Sequence, residues 1–120
     1  MAVNQELVGR DFPPTAPYLV GREKIREFAR AVFADAPQHT DVEAARAAGF
    51  ADVVAPPTFA MVVQDHTLQQ LLSQSDSGIV LARTIHGEQR FTYSRPIVAG
   101  DELTGQLRVT GIRMMGGNAM

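Results

Sequence analysis

The chain has 120 residues, of which 45% are hydrophobic and 20% are charged, and its formal net charge is −2. This length and apolar content predict one domain with one ordinary core. Acidic and basic side chains alternate along the chain, which argues against a nucleic-acid partner. No stretch approaches the roughly 18 apolar residues that cross a bilayer, and the N-terminus lacks a secretory signal pattern. We therefore expect a cytosolic protein without a membrane partner.

The composition also limits the chemistry of any site. The chain has no cysteine, which excludes disulfides and thiolate metal ligands. Its three histidines lie far apart in sequence and lack a ligand spacing such as HxxxH. We therefore expect no metal and no other cofactor.

A short strand and an amphipathic helix are the first predicted elements. Prolines at 13, 14 and 17 exclude a helix and lead to the apolar run 18–20, which predicts a strand. Residues 21–33 carry apolar side chains at i, i+3, i+4 and i+7, which predicts a helix with one buried stripe. Because Pro37 cannot continue this helix, we expect it to stop near Ala34. The stripe consists of Ile25, Phe28, Ala29 and Val32.

Two further helices are predicted on either side of 50–57. Asp41 is a suitable N-cap and Gly49 a suitable C′ residue for a short alanine-rich helix. After the prolines at 56 and 57, Thr58 can cap a longer helix over residues 59–73. Apolar side chains spread around most of its circumference, so other structure must wrap this helix.

The second half of the chain has the alternating pattern of strands. Residues 79–93 predict a long strand with Gly87 as a bulge, and residues 102–114 predict a second strand. The sequence MMGGN at 114–118 predicts a tight hairpin turn. Helices followed by strands predict an α+β fold in which a sheet wraps the helix over 59–73.

Three segments of the chain together resemble one protein family. They are LVGREKIREFARAV, GFADVVAPPTFAM and HGEQRFTYSRPIVAGDELTGQLRV. The chain resembles the MaoC-like dehydratases and hydratases, most closely the actinobacterial N-terminal-type subunits related to (3R)-hydroxyacyl-ACP dehydratases. The resemblance implies a single hot-dog domain over residues 1–120, with an antiparallel sheet around a central helix. It also implies acyl thioesters of coenzyme A or acyl carrier protein as ligands.

The resemblance also gives an expectation about assembly. Hot-dog domains of this group join their sheets edge to edge, and relatives continue past the MMGGN turn with further strands. An end at Met120 leaves an unpaired strand edge, which another chain is expected to cover. We therefore expect a homo- or hetero-oligomer and a natural chain that is longer than this one.

Candidate catalytic residues fall in the segment FADAPQHTD, residues 33–41. Active members of the group carry GDxNPxHxD, whose aspartate and histidine are catalytic. His39 falls on the histidine position, whereas Ala34 occupies the aspartate position and Asp35 lies one place later. The glycine of the motif is replaced by Phe33. Asp35 and His39 are the candidate catalytic pair that the resemblance implies.

Adding water across an enoyl thioester needs proton transfer and stabilisation of the thioester oxygen. An imidazole and a carboxylate near one water molecule can transfer the protons. Backbone N–H groups at the amino end of a buried helix can hold the oxygen, which makes Pro57, Thr58 and Phe59 the candidate substrate contacts. His86 is a further candidate, and it lies on the opposite face of the predicted strand from Gln89.

Each candidate also has a purely structural interpretation. His39 is also compatible with an ordinary loop histidine, and Asp35 with a solvated turn residue. His66 suits a hydrogen-bonded core histidine. Asp65 suits an exposed helix charge, although a hot-dog thioesterase could use a carboxylate there.

Three functions stay open at this point. The leading one is a (3R)-hydroxyacyl-thioester dehydratase or enoyl-thioester hydratase subunit of type II fatty acid metabolism. The second is a non-catalytic partner that binds the acyl chain beside a subunit with the intact motif. Ala34 favours this partner role, whereas His39 favours the enzyme. The third is a hot-dog acyl-thioesterase.

Overall fold

The computed structural model describes residues 2–120, which form two compact units. The motif unit, which contains the FADAPQHTD segment, comprises Ala16–Val63 and Arg90–Thr104. The terminal unit comprises residues 2–15, Gln64–Gln89 and 105–120. Helices and antiparallel strand pairs are both present, as the α+β prediction requires. Within residues 2–120, no helix is long and apolar enough to cross a membrane.

Helix α1 spans Arg22–Ala31, and its stripe residues Ile25 and Ala29 are buried. The helix ends in a Schellman motif, in which Phe33 adopts the left-handed φ of 58°. The Ala34 N–H then donates back to the Ala29 carbonyl at 2.8 Å. The predicted helix and its predicted end near Ala34 are both confirmed.

Helix α2 spans Val42–Ala47 and has both of its predicted caps. The Asp41 carboxylate accepts the Glu43 N–H at 2.9 Å. Gly49 has a φ of 97°, a conformation that glycine adopts without steric cost. A short 3-10 turn, Pro37–His39, precedes this helix.

Helix α3 begins later than the sequence predicts. It spans Met61–Leu72, because residues 57–60 form a turn first. In that turn the Phe59 N–H donates to the Pro56 carbonyl at 2.9 Å, which is the tighter i to i+3 spacing. Thr58 therefore lies inside the turn and not at the helix boundary.

The predicted strand over residues 79–93 is wrong. Leu81–Arg83 forms a 3-10 turn, and no strand is assigned over 84–93 in the described chain. Ile85 is 90% exposed, so the apolar residues in this part of the pattern do not mark a side that faces the core. An alternating pattern does not itself supply the neighbouring backbone that a hydrogen-bonded ladder needs.

The predicted strand over residues 102–114 is confirmed in part. Strand β2, Glu102–Leu103, pairs antiparallel with strand β1, Tyr18–Leu19. Exposure alternates residue by residue from 102 to 110, as the pattern predicts. The hydrogen-bonded ladder is shorter than the alternating sequence pattern. Only two residues of each segment are paired.

The predicted MMGGN hairpin is confirmed. Strand β3, Met114–Met115, pairs antiparallel with strand β4, Asn118–Ala119. The two residues between them, Gly116 and Gly117, have φ values of 55° and 89°. Positive φ at both central positions is what a two-residue type I′ hairpin requires.

The motif unit contains the hydrophobic core cluster. Phe59 is fully buried, and its ring meets Phe28 edge to face with centroids 5.3 Å apart. This geometry is favourable for aromatic pairs and joins α1 to the turn before α3. The buried members of the cluster are Val20, Ile25, Val53, Ala55 and Phe59.

Candidate functional site

Backbone hydrogen bonds around Val54 build the frame of the candidate site. The Ala55 N–H donates to the Ile97 carbonyl at 2.8 Å, and Val54 forms an antiparallel bridge with Val98. On its other side, the Val54 N–H donates to the Gln38 carbonyl at 2.9 Å. The segment that leads into the two prolines is therefore held between two other segments of the motif unit.

An arginine–aspartate pair holds one end of this frame. Both Asp52 oxygens accept from the Arg22 guanidinium, with the closest pair at 2.8 Å. The Asp52 carboxylate also accepts the Val53 N–H at 2.8 Å. The hydrogen bond from Arg22 is the main reason that the pKa of Asp52 lies below its ordinary value.

A second arginine–aspartate pair holds the other side. Arg95 donates to both Asp101 oxygens at 2.8 and 2.9 Å, and the Asp101 carboxylate also accepts the Val98 N–H at 2.9 Å. The hydrogen bond from Arg95 is the main cause that lowers the pKa of Asp101, with burial acting in the opposite direction. The Asp101 side chain thus holds the turn after Val98 through a hydrogen bond to the backbone of that turn.

His39 is buried, with only 8% of its surface exposed. Its Nδ1 lies 2.6 Å from the Val54 carbonyl oxygen, which can only accept. Nδ1 therefore carries the proton, and in the neutral ring Nε2 has a free lone pair. Within residues 2–120, Nε2 makes no hydrogen bond. In the neutral ring Nε2 can accept a hydrogen bond, and the ring does not turn outward to bulk solvent.

His39 lines a cavity of about 470 Å³ in the motif unit. This volume falls in the range of about 300–1,000 Å³ that is usual for small-molecule sites. Most lining residues are apolar, and neither aspartate nor glutamate is among those that the described chain contributes. The lining residues are Gln38, His39, Phe50, Val54, Ala55, Pro56, Pro57, Tyr93, Ser94, Arg95, Pro96 and Ile97.

The structure brings together only part of the predicted site. His39 and Pro57 both line the cavity, whereas Asp35 is exposed in the loop after α1 and does not. The position that carries aspartate in the family motif is Ala34, which is half-buried. The one-residue offset therefore places the carboxylate of this chain on the exposed position.

Phe33 stands at the position where the motif GDxNPxHxD has glycine. Its φ of 58° belongs to the left-handed region that favours glycine. Its side chain is 91% exposed, so packing within the chain does not compensate for the unfavourable backbone conformation. The Schellman turn is retained here with a residue that suits it poorly.

The predicted oxygen-binding amides need correction at Phe59. Its side chain is fully buried, and its N–H already donates to the Pro56 carbonyl at 2.9 Å. Phe59 therefore belongs to the core and does not offer a free donor. Thr58 is exposed in the same turn, and its role as a substrate contact stays a prediction.

Tyr93 is a residue of the cavity that the sequence did not single out. Its hydroxyl donates to the Pro57 carbonyl. Burial raises the pKa of the Tyr93 phenol above its ordinary value, and the Ala60 N–H opposes this shift. The sequence signal for Tyr93 was its place beside Phe91 on one face of an extended pattern. The two rings are stacked, with their centroids 5.9 Å apart.

The other predicted polar residues lie in the terminal unit. His86 is exposed, and its Nε2 lies 2.9 Å from the Glu88 carbonyl oxygen. Its role as a substrate contact stays a prediction. Asp65 is exposed on α3, as expected for a helix charge. The interpretation of His66 as a core histidine is wrong, because its side chain lies on the exposed side of α3.

Solved structures of similar shape define the class of protein. The C-terminally truncated HadBC complex, a (3R)-hydroxyacyl-ACP dehydratase of Mycobacterium tuberculosis, matches with a TM-score of 0.77 and 33% identity. That match covers 91% of this chain and 74% of the HadBC chain. A MaoC-like dehydratase matches with a TM-score of 0.69 and 35% identity, over 93% of this chain and 34% of that one. The fold is therefore the α+β hot-dog fold of MaoC-like dehydratases, which confirms the prediction.

Comparison of the amino-acid sequence with known proteins shows the family to which the chain belongs. The chain belongs to the family described as FAS1-like, dehydratase domain region, whose family model matches residues 6–120. It is 64% identical over 120 residues to the UPF0336 protein of Clavibacter michiganensis subsp. michiganensis. The alignment covers 100% of this chain and 80% of that relative. The resemblance based on three segments is confirmed.

Proposed function

We propose that this chain is the acyl-thioester-binding subunit of a (3R)-hydroxyacyl-thioester dehydratase or enoyl-thioester hydratase of type II fatty acid metabolism. The observation that carries the proposal is the chemistry of the cavity wall. The wall contains the His39 imidazole and neither an aspartate nor a glutamate of the described chain. Because the reaction uses two proton-transferring groups, a second subunit supplies the carboxylate.

The chemistry defines what each group has to do. In hydration, a base takes a proton from water, and the water oxygen bonds to Cβ. The electron pair of the double bond moves to Cα and onto the thioester oxygen, and Cα then takes a proton from an acid. His39 presents an Nε2 lone pair and suits the base, whereas the acid is the group that the cavity wall lacks.

The remaining wall suits the rest of the ligand. Phe50, Val54, Pro96 and Ile97 provide apolar surface for an acyl chain. An acyl thioester of coenzyme A or of acyl carrier protein combines such a chain with a carbonyl group. The HadBC structure is a complex of a (3R)-hydroxyacyl-ACP dehydratase, which supports an assembly of more than one chain for this protein.

The test is hydration of crotonyl-CoA by the purified chain, alone and with a MaoC-like subunit that carries the complete GDxNPxHxD motif. We expect no hydration by the chain alone and hydration by the mixture above the rate of the second subunit. Loss of crotonyl-CoA is followed by its ultraviolet absorbance. Hydration by the chain alone that disappears in His39→Ala contradicts the partner role and supports an independent enzyme.

A rebuilt motif provides the matched variant. Ala34→Asp combined with Asp35→Ala moves the carboxylate to the half-buried position of the family motif. A positioned acid or base contributes roughly 10²–10⁴-fold, so we expect measurable hydration by this variant alone. Asp35→Ala without the change at Ala34 is the control, and we expect it to resemble the parent chain.

A further inference from the structure

Arg95 gives the cavity wall its charge. Among the lining residues of the described chain it is the only one with a permanent charge, and none of them is acidic. Its counter-ion, Asp101, is not part of the wall. The Arg95 side chain is 63% exposed, whereas the Asp101 side chain is 15% exposed. A ligand in the cavity therefore lies beside the cation of this pair and not beside its anion.

The hydrogen bonds of Arg95 leave one edge of its guanidinium free. Nη1 donates to the Pro96 carbonyl and to Oδ2 of Asp101, and Nη2 donates to Oδ1 of Asp101. Of the five N–H groups of a guanidinium, these bonds use three. The two that remain free within residues 2–120 are the Nε–H and the second N–H of Nη2. They lie side by side on the same edge and form a two-pronged donor.

Arg22 shows what such an edge can bind. In that residue the same two nitrogens, Nε and Nη2, donate to the Asp52 carboxylate at 3.0 and 2.8 Å. An edge of this kind matches two oxygens of a carboxylate or of a phosphate group. The edge of Arg22 is occupied by Asp52, whereas Asp101 approaches Arg95 from the other side. The free edge of Arg95 is therefore suited to an oxyanion of a ligand.

The other polar side chains of the wall differ from Arg95 in charge or in burial. Gln38 and Ser94 can also donate to a ligand, but they are neutral and do not select an anion. His39 is buried, whereas Arg95 is exposed, so the wall combines an enclosed imidazole with a solvated cation. A ligand with an uncharged reacting end and a distant anionic group fits this combination. The anionic group keeps part of its hydration at the exposed guanidinium, which lowers the cost of binding it.

We propose that the free edge of Arg95 binds the phosphate of the 4′-phosphopantetheine arm, which acyl thioesters of coenzyme A and of acyl carrier protein share. This inference rests on the proposed function, because it takes an acyl thioester as the ligand. The arm separates the thioester from the phosphate, so the acyl chain can enter the apolar part of the cavity while the phosphate stays at the guanidinium. Asp101 is a positioning residue, since its bonds to Nη1 and Nη2 fix the direction of the free edge.

The test compares two ligands that differ only in the phosphate, crotonyl-4′-phosphopantetheine and crotonyl-pantetheine. We expect the unmodified chain to bind the phosphorylated compound about three- to tenfold more tightly in calorimetric titration, because a charge-assisted contact at an exposed site is partly screened. This preference should become smaller as the salt concentration rises. In Arg95→Gln the two ligands should bind equally, through a loss of affinity for the phosphorylated compound alone.

Two further variants separate the contact from net charge and from stability. Arg30→Gln is the matched control, because Arg30 is an exposed arginine of the motif unit outside the cavity wall and its loss changes the net charge equally. It should keep the preference for the phosphorylated ligand. Arg95→Gln leaves the Asp101 carboxylate without its guanidinium, so Arg95→Gln combined with Asp101→Asn is measured as well. This double variant should also bind the two ligands equally, and circular dichroism verifies that it is folded.

The possible results have distinct consequences. Equal binding of the two ligands by the unmodified chain overturns the inference while the proposed function stands. A preference that persists when Arg95 is replaced also overturns it, as does an equal loss of preference in Arg30→Gln, which would assign the effect to net charge. If the unmodified chain binds neither compound, the proposed function fails and the inference fails with it.

Discussion

The motif unit and the terminal unit differ in how they use their apolar side chains. The motif unit contains the core cluster around Phe59 and Ile25. The terminal unit buries Leu7 and Phe12, but it exposes more large apolar side chains than the motif unit, among them Leu81, Ile85 and Met115. Both units have apolar sequence patterns, so hydrophobic content alone does not decide which segment is buried. In the motif unit, antiparallel pairing of distant segments brings those side chains together.

Phe59→Ala should have the largest effect, because it removes a fully buried ring and its edge-to-face contact with Phe28. Truncation of such a ring usually costs about 3–5 kcal/mol of the free energy of unfolding. Urea denaturation followed by circular dichroism measures it. Ile85→Ala is the control in the terminal unit, where the side chain is 90% exposed. The control should stay within about 0.5 kcal/mol of the parent chain. Equal losses in the two variants would show that the units do not differ in this way.

Asp101→Asn should have a moderate effect that depends on pH. The hydrogen bond from Arg95 lowers the pKa of Asp101 in the folded chain, so the aspartate stabilises the fold above its unfolded pKa of about 3.9. That contribution disappears as the pH falls through the lowered pKa. We therefore expect a melting temperature a few degrees below that of the parent chain at pH 7, and a smaller difference at pH 3.

Asp65→Asn is the matched control for that measurement. Asp65 is an exposed carboxylate in the terminal unit and does not hold a backbone turn. The parent chain and Asp65→Asn should lose stability in parallel as the solution is acidified. A melting-temperature difference for Asp101→Asn that stays constant between pH 7 and pH 3 contradicts the assignment to the ion pair.

Phe33→Gly should have the smallest effect and the opposite sign. Glycine removes a left-handed backbone penalty of roughly 1–2 kcal/mol but loses about 0.4–1 kcal/mol through the entropy of the unfolded chain. Because the Phe33 side chain is 91% exposed, we expect the variant to be up to about 1.6 kcal/mol more stable. Thermal unfolding at neutral pH measures the change.

Val32→Gly provides the comparison for Phe33. Val32 has a φ of −104°, so glycine relieves no strain there and should destabilise the chain. If both glycine variants destabilise the chain equally, Phe33 makes a contact that outweighs its backbone strain.

The sequence predicted the elements whose causes are local. Asp41 and Gly49 lie at the two ends of α2, and both cap it as expected. The two glycines of the MMGGN turn likewise determine the hairpin within five residues. The long strand over 79–93 failed because a strand needs a pairing partner elsewhere in the chain. Side-chain alternation carries no information about that partner.

The candidate site was predictable only in part for the same reason. The motif located His39, and the double proline located Pro57, which lines the same cavity. The hydrogen bond from Tyr93 to the Pro57 carbonyl joins residues 36 positions apart, and no local pattern encodes it. The offset of Asp35 was visible in the sequence, but only the end of α1 shows that this residue is exposed.

Val54 contributes to the site in two separate ways, through its backbone hydrogen bonds and through its place in the cavity wall. Its backbone groups both bind the loop that contains Gln38 and His39. The Val54 N–H donates to the Gln38 carbonyl, and the Val54 carbonyl oxygen accepts from the imidazole of His39. Val54 also lines the cavity. Substitutions at position 54 can therefore alter which ligands fit the cavity while the histidine keeps its tautomer. A change in the shape of this part of the cavity wall therefore does not have to disturb the hydrogen bond that orients the histidine.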